Sequence, residues 1–151
     1  MFRMEKIAIA SDHAGFHLKT EIITVLKNLG YEPVDHGCHG TESVDYPDYA
    51  ALVAADVQKG NVEKGILICG TGVGMAITAN RFSGVRAASL VDEYSTIMAR
   101  KHNNLNVLCL GSRVIGAGTA TLIVETFLCT AFEGGRHEKR VEKIESVAGM
   151  K

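Results

Sequence analysis

Cys69 ends an apolar run with β-branched residues at 65–69, and Gly70, Gly72 and Gly74 follow before residues 75–81 resume at helical spacing. A thiol is thereby delivered to the carboxyl end of a strand, beside a tight turn and a helix start. Glycines in such a turn adopt φ > 0 and present successive N–H groups, and the helix N-terminus adds partial positive charge. That concavity suits an anion, or negative charge developing on a substrate oxygen. The same N–H groups favour thiolate over thiol, which turns the cysteine into a usable base. The structural alternative is plain: glycines close many strand-to-helix turns, and a strand cysteine is often a small core hydrophobe.

Other chemically able residues recur at strand ends. Asp12 and His13 follow the apolar run at 6–10, and Arg113 lies just past the run at 106–110. Ser11 or Asp12 could instead cap a helix at 16–29, and His13 could be a surface imidazole. Tyr46, between Asp45 and Pro47, fits turn chemistry or a pocket wall. His102, Asn103 and Asn104 interrupt the chain after a helix that Asp92 could cap. Arg136 and Arg140 are four apart on a last helix of about 136–148. They share a face and repel mildly unless an anion lies between them, although Glu138 and Glu142 also permit a solvated charged helix. His36, Cys38 and His39 on one short loop lack a fourth ligand and match no usual zinc spacing, so no metal is expected. A base, an oxyanion hole, histidines and arginines suit proton transfer beside the carbonyl of a phosphorylated substrate.

The elements that must position these groups follow from periodicity. Strands are expected at 6–10, 32–35, 65–69, 85–90 and 106–110, alternating with helices at 16–29, 49–59, 75–81, 92–101 and 119–132, and with the last helix after Gly134 and Gly135. That alternation predicts a single α/β domain over 1–151: a doubly wound, mostly or wholly parallel five-stranded sheet flanked by helices. Ligands of such sheets bind beyond the strand carboxyl ends, where Asp12, His13, the 69–74 turn and Arg113 all fall. Cys109 and Cys129, inside strand and helix patterns, are expected in the core. With 46% hydrophobic and 22% charged residues the 151-residue chain is ordinary globular material. Its formal charge of −1 supplies no global field for nucleic acid or an anionic membrane, so any anion must be held locally. No apolar run reaches the ~20 residues of a membrane span, and no signal-peptide core precedes the first strand. Four dispersed cysteines without a CxxC pair fit reduced thiols in a cytoplasmic protein. No nicotinamide fingerprint follows the first strand.

Five blocks, SDHAG, DYPDYA, ICGTGVGMAITANR, KHNNLNVLCLGSRVIG and EGGRHEKRV, resemble the type B ribose-5-phosphate isomerase family in order and spacing, over nearly the whole chain. The resemblance implies reversible conversion of ribose 5-phosphate to ribulose 5-phosphate through an enediolate, without metal or organic cofactor. It implies Cys69 as the base moving a proton between C1 and C2, with Gly70, Thr71, Gly72, Val73 and Gly74 forming the oxyanion hole and Thr71 adding a supporting hydroxyl. His102 would open the sugar ring as proton donor, Asp12, His13 and Asn103 would hold hydroxyls, and Tyr46 would wall the pocket. Arg113, Arg136 and Arg140 would hold the phosphate. Part of the family carries a glutamate base where this chain has Met75; methionine takes no proton, so the resemblance implies the cysteine-base branch. It also implies a homodimer with shared sites, Cys69 from one chain and His102 from its partner, with a tetramer as the larger alternative. Because the family includes subunits of galactose-6-phosphate isomerase, a six-carbon sugar phosphate is the alternative substrate. A non-catalytic sugar-phosphate sensor is the alternative from another class, and Cys69 together with His102 argues against it.

Overall fold

The computed structural model describes residues 3–147, so the expected end of the last helix at 148 lies outside the described residues. The chain runs β1 (Lys6–Ser11), α1 (Phe16–Asn28), β2 (Glu32–Asp35), α2 (Tyr46–Gln58), β3 (Lys64–Cys69), α3 (Val73–Ala79), β4 (Ala87–Ser89), α4 (Glu93–Asn103), β5 (Val107–Gly111), α5 (Ala117–Cys129) and α6 (Arg136–Val147). All strand pairs are parallel, in the order β2-β1-β3-β5-β4. Right-handed crossovers then fix which face each helix covers. Connections that move one way along the sheet put α2 and α3 on one face, where Val53, Ala54, Met75 and Ala79 pack with Leu67 and Cys109. The remaining core, on the other face, joins Ile22 and Leu26 of α1 and Ala99 of α4 to Ile123 and Phe127 of α5 over Ile9, Ile68 and Leu110. The strand order reverses between β1 and β3, and ligands of open α/β sheets bind at that crevice. Asp12 and Cys69 flank it.

Several boundaries differ from the sequence expectation for identifiable reasons. β4 is three residues long, not 85–90, and it is an edge strand. Its outer side is closed by Asn80, whose side-chain amide donates to the Ala87 carbonyl and accepts from the Ala87 N–H, both at 2.8 Å. One side chain thereby replaces a further strand. α2 starts at Tyr46 rather than 49, with Pro47 in its first turn, where a missing N–H costs nothing. Tyr46 is therefore a helical residue, not a loop residue. α4 continues through His102 and Asn103, where a break was expected; the break comes at Asn104, which takes the left-handed conformation at φ 50°. Asp92 caps this helix as expected, its Oδ1 accepting from the Ser95 N–H at 2.7 Å. Neither Ser11 nor Asp12 caps α1, whose N-cap is Gly15. α5 ends at Cys129, three residues before the expected 132. Cys109 is fully buried as expected, but Cys129 is exposed, because the core-facing stripe of α5 runs through 120, 123, 124, 127 and 128 and turns the next residue outward.

Candidate active site

The glycine turn after β3 forms the tight strand-to-helix turn expected of it. Gly72 has φ 77°, and a Cβ there would meet the Leu110 backbone at 3.0 Å, so glycine is required both for the turn and for its closeness to β5. The turn brings the Gly72 N–H to the Cys69 sulfur at 3.1 Å, a contact that stabilises a thiolate. Cys69 itself is 5% exposed, at the rim of the core. The Thr71 hydroxyl accepts from the Val73 N–H at 3.2 Å and so supports the first turn of α3. Gly74 lies under the Tyr46 ring so closely that a Cβ would stand 2.6 Å from it, which places Tyr46 as a wall of the turn. Met75 is fully buried in the core. Among the side chains of the turn, Met75 offers no group that could accept a proton and Cys69 offers a thiol.

Neighbouring strand ends are tied to this turn through the backbone. The Asp12 N–H donates to the Ile68 carbonyl, Ser112 N–H to Cys69 and Arg113 N–H to Gly70, at 2.9 to 3.1 Å. Asp12 uses Oδ1 to accept from the Ala14 and Gly15 N–H groups, which stiffens its own turn and leaves Oδ2 as the oxygen for a ligand. The Arg113 guanidinium lies over Gly70, 3.4 Å from where a Cβ would stand. His13 Nδ1 accepts from the Val44 N–H at 3.2 Å, so the neutral ring carries its proton on Nε2 and offers a donor. The loop that supplies Val44 begins beside a half-buried ion pair, from the buried Lys19 Nζ to Asp35 Oδ1 at 2.7 Å, with Asp35 also accepting from Gly37 N–H.

His102, Asn103, Arg136 and Arg140 are not part of this constellation. α4 leaves the carboxyl end of β4 and runs back to the start of β5, so its last turn sits at the amino edge of the sheet, where Asn106 N–H donates to the Arg86 carbonyl. α6 begins at the same edge: His137 stacks on His102 with centroids 4.1 Å apart and an interplanar angle of 11°. The two edges are separated by the length of β3, roughly 16 Å for five rises of about 3.3 Å. Arg136 and Arg140 are exposed, and among the described residues neither forms an ion pair with Glu138 or Glu142. The expected site is thus two half-sites on one chain, facing opposite ways.

Three ligand atoms of His102, Glu133 and His137 lie within 4.8 Å of one another, a grouping that sequence spacing does not reveal. Imidazole lone pairs lie in the ring plane, and in two nearly parallel stacked rings they do not converge on one point, so this arrangement is not preorganised for a metal. Other supporting groups were also missed. The Ser112 hydroxyl donates to the Ala14 carbonyl at 2.8 Å and locks the β5 turn to the β1 turn, while the Ser89 hydroxyl donates to the Thr71 carbonyl at 2.9 Å. Neither serine carries a local signal, since each acts across the sheet.

Comparison with known proteins agrees with this architecture. The sequence pattern of the Ribose/Galactose Isomerase family matches residues 7–144. Ribose-5-phosphate isomerase B of Escherichia coli is 49% identical over 144 residues, which covers 95% of this chain and 97% of that protein. The structure of ribose-5-phosphate isomerase B from Clostridium thermocellum superposes with a TM-score of 0.94 at 50% identity, covering 96% of this chain and 98% of that one. The Mycoplasma genitalium enzyme, solved with bound ribulose-5-phosphate, gives a TM-score of 0.93 at 45% identity over 99% of this chain and 100% of the other. A sheet of this order, a cysteine on its glycine turn and this match along the chain's length lead to one assignment: the chain belongs to the ribose/galactose isomerase family.

Proposed function

We propose that this protein interconverts ribose 5-phosphate and ribulose 5-phosphate in active sites that each join the carboxyl edge of one copy to the amino edge of another. The observation that carries the reading is the separation of Cys69 from His102, Arg136 and Arg140 within one chain. Support for the sugar comes from the E. coli relative and from the Mycoplasma genitalium enzyme with ribulose-5-phosphate bound. Val73 and Ile77 on α3 and Val91 and Tyr94 around the start of α4 are exposed large hydrophobic residues, which a second copy could cover. A homodimer is the smallest assembly that completes both sites, and a tetramer would be a pair of such dimers. No helix of the described residues is long and apolar enough to cross a membrane. The four free cysteines suit the reducing cytoplasm.

In the proposed reaction His102 gives a proton to the ring oxygen of the furanose as the C1–O4 bond breaks, and the O1 hydroxyl loses its proton to water to leave the aldehyde. The Cys69 thiolate then removes the C2 proton. The electron pair forms the C1–C2 double bond, and the charge arriving on O1 is met by the glycine-turn N–H groups. Transfer of the O2 proton to O1, and return of the proton from Cys69 to C1 as the C2=O2 double bond forms, gives the ketose. Asp12, His13 and Asn103 hold hydroxyls, and Arg113, Arg136 and Arg140 hold the phosphate as charge-assisted donors. A proton from His102, the Cys69 thiolate, the Asp12 carboxylate and three guanidinium groups carry these steps in the proposed mechanism. Cys69→Ala tests the assignment: exchange of the substrate C2 proton with solvent deuterium should vanish while sugar-phosphate binding persists. Exchange at the parent rate would remove Cys69 from the mechanism.

A further inference from the structure

His137 lies beneath His102 and has no place in the chemistry so far. It is 5% exposed, the one buried residue of α6, and its ring is stacked on His102 at 4.1 Å. Its Nε2 lies 3.7 Å from Glu133 Oε2, and Glu133 in turn donates its N–H to the Lys101 carbonyl and approaches Lys101 Nζ at 3.6 Å. α4, the following loop and α6 therefore meet at this stack. We propose that His137 is a positioning residue for ring opening, a flat aromatic platform that holds the His102 ring in the orientation needed to reach the sugar. This rests on the ring-opening role given to His102 above.

The charges around the pair act on His137. His102 and Lys101 face it from α4, Glu133 from the loop, and Arg136 and Arg140 from α6. Desolvation, then His102, Arg136 and Arg140, hold His137 below the ordinary histidine value, against the opposing pull of Glu133. Two imidazolium rings face to face would repel, whereas a cation over a neutral aromatic face is attracted to it. His137 is thus held toward its neutral form and offers His102 an uncharged face. His137 does not need to touch the sugar.

Two assays on the full-length dimer separate this role from a merely structural one. Conversion of ribose 5-phosphate requires ring opening. Exchange of the C1 proton of ribulose 5-phosphate with deuterium does not, because its C5 oxygen is esterified and the ketose stays open. His137→Ala should lower conversion about tenfold, the loss of one desolvated cation–π contact, and leave exchange within about twofold of the parent. His137→Phe keeps a flat face without a ring nitrogen and should restore conversion. Unchanged conversion in His137→Ala overturns the proposal, as does a Phe variant that exchanges normally yet converts no better than the Ala variant. If His137→Ala loses exchange as well, the Phe variant alone decides, by the same criterion. His102→Ala is the reference for the underlying reading: if it spares conversion, that reading fails, and if it lowers conversion while His137→Ala lowers nothing, only the platform fails.

Discussion

The sharpest test of the two-edge site is subunit complementation. Cys69→Ala damages the carboxyl edge and His102→Ala the amino edge, and each homodimer carries its lesion in both sites. Mixing the two proteins and reassorting them by mild unfolding and refolding gives half of the dimers as hybrids. In a hybrid one site collects both lesions and the other neither, because the two edges of one chain lie roughly 16 Å apart and serve different sites. One site in two, in one dimer of two, returns about a quarter of the parental activity. Cys69→Ala mixed with Asp12→Asn supplies the control: both lesions lie at the carboxyl edge, so each hybrid site keeps one defect and activity stays at the baseline. Native mass spectrometry establishes that hybrids have formed. Activity at baseline in verified Cys69/His102 hybrids would refute the shared site, and recovery in the Cys69/Asp12 control would refute the placement of those two residues in one half.

The remaining expectations are independent of that experiment. Arg136→Ala or Arg140→Ala should weaken binding of the phosphorylated sugar by about 1.5 to 3 kcal/mol, the worth of one charged hydrogen bond, with inorganic phosphate competing in the parent; normal affinity by calorimetry would return α6 to a solvated helix. Gly74→Ala drives a methyl group into the Tyr46 ring, which is 41% exposed and able to swing aside. Its melting temperature should hardly move, within about 1 kcal/mol of stability, while KM rises several-fold as the wall is displaced. At Asp56, burial alone would push the carboxyl up, but hydrogen bonds from Asn61 and His36 and the charge of His36 outweigh it and hold the carboxyl below its ordinary value. A depressed folded value stabilises the fold above the unfolded value of about 3.9 and is lost as pH falls through and below it. Thermal unfolding between pH 5 and pH 2, taken as about two units around that value, should therefore show a shallower slope for Asp56→Asn than for the parent.

Much of the carboxyl edge was legible because its signals are local. An apolar run ending in Cys69, three glycines within five residues and a resumed helical period specify strand, turn and helix without reference to the rest of the chain. Asp12 shows the limit of such reading. Capping and ligand binding were posed as alternatives, but the carboxylate does not cap α1: Oδ1 holds its own turn and Oδ2 is left free. Ser112, Ser89, Val44 and His137 were invisible because each works on a partner far away in sequence: Ser112 on Ala14, Ser89 on Thr71, Val44 on His13, His137 on His102. The exposed Cys129 was misplaced for a different reason. An all-apolar helix hides its own phase, and only contact with the sheet shows which stripe turns inward.

The division of the site between two edges was nevertheless contained in the alternation of elements. In a wholly parallel sheet every strand climbs to the carboxyl edge and every connecting helix descends from it. A residue just past a strand and a residue at the end of the next helix must then lie at opposite edges, whatever their side chains are. Cys69 is of the first kind; His102, in the last turn of α4, is of the second. Arg136 follows the descent of α5 and joins His102 by the same parity. Topology alone forbids these residues from meeting within one chain. Any chemistry that needs both requires a second copy, so the proposed mechanism makes a dimer a condition of catalysis, not an addition to it.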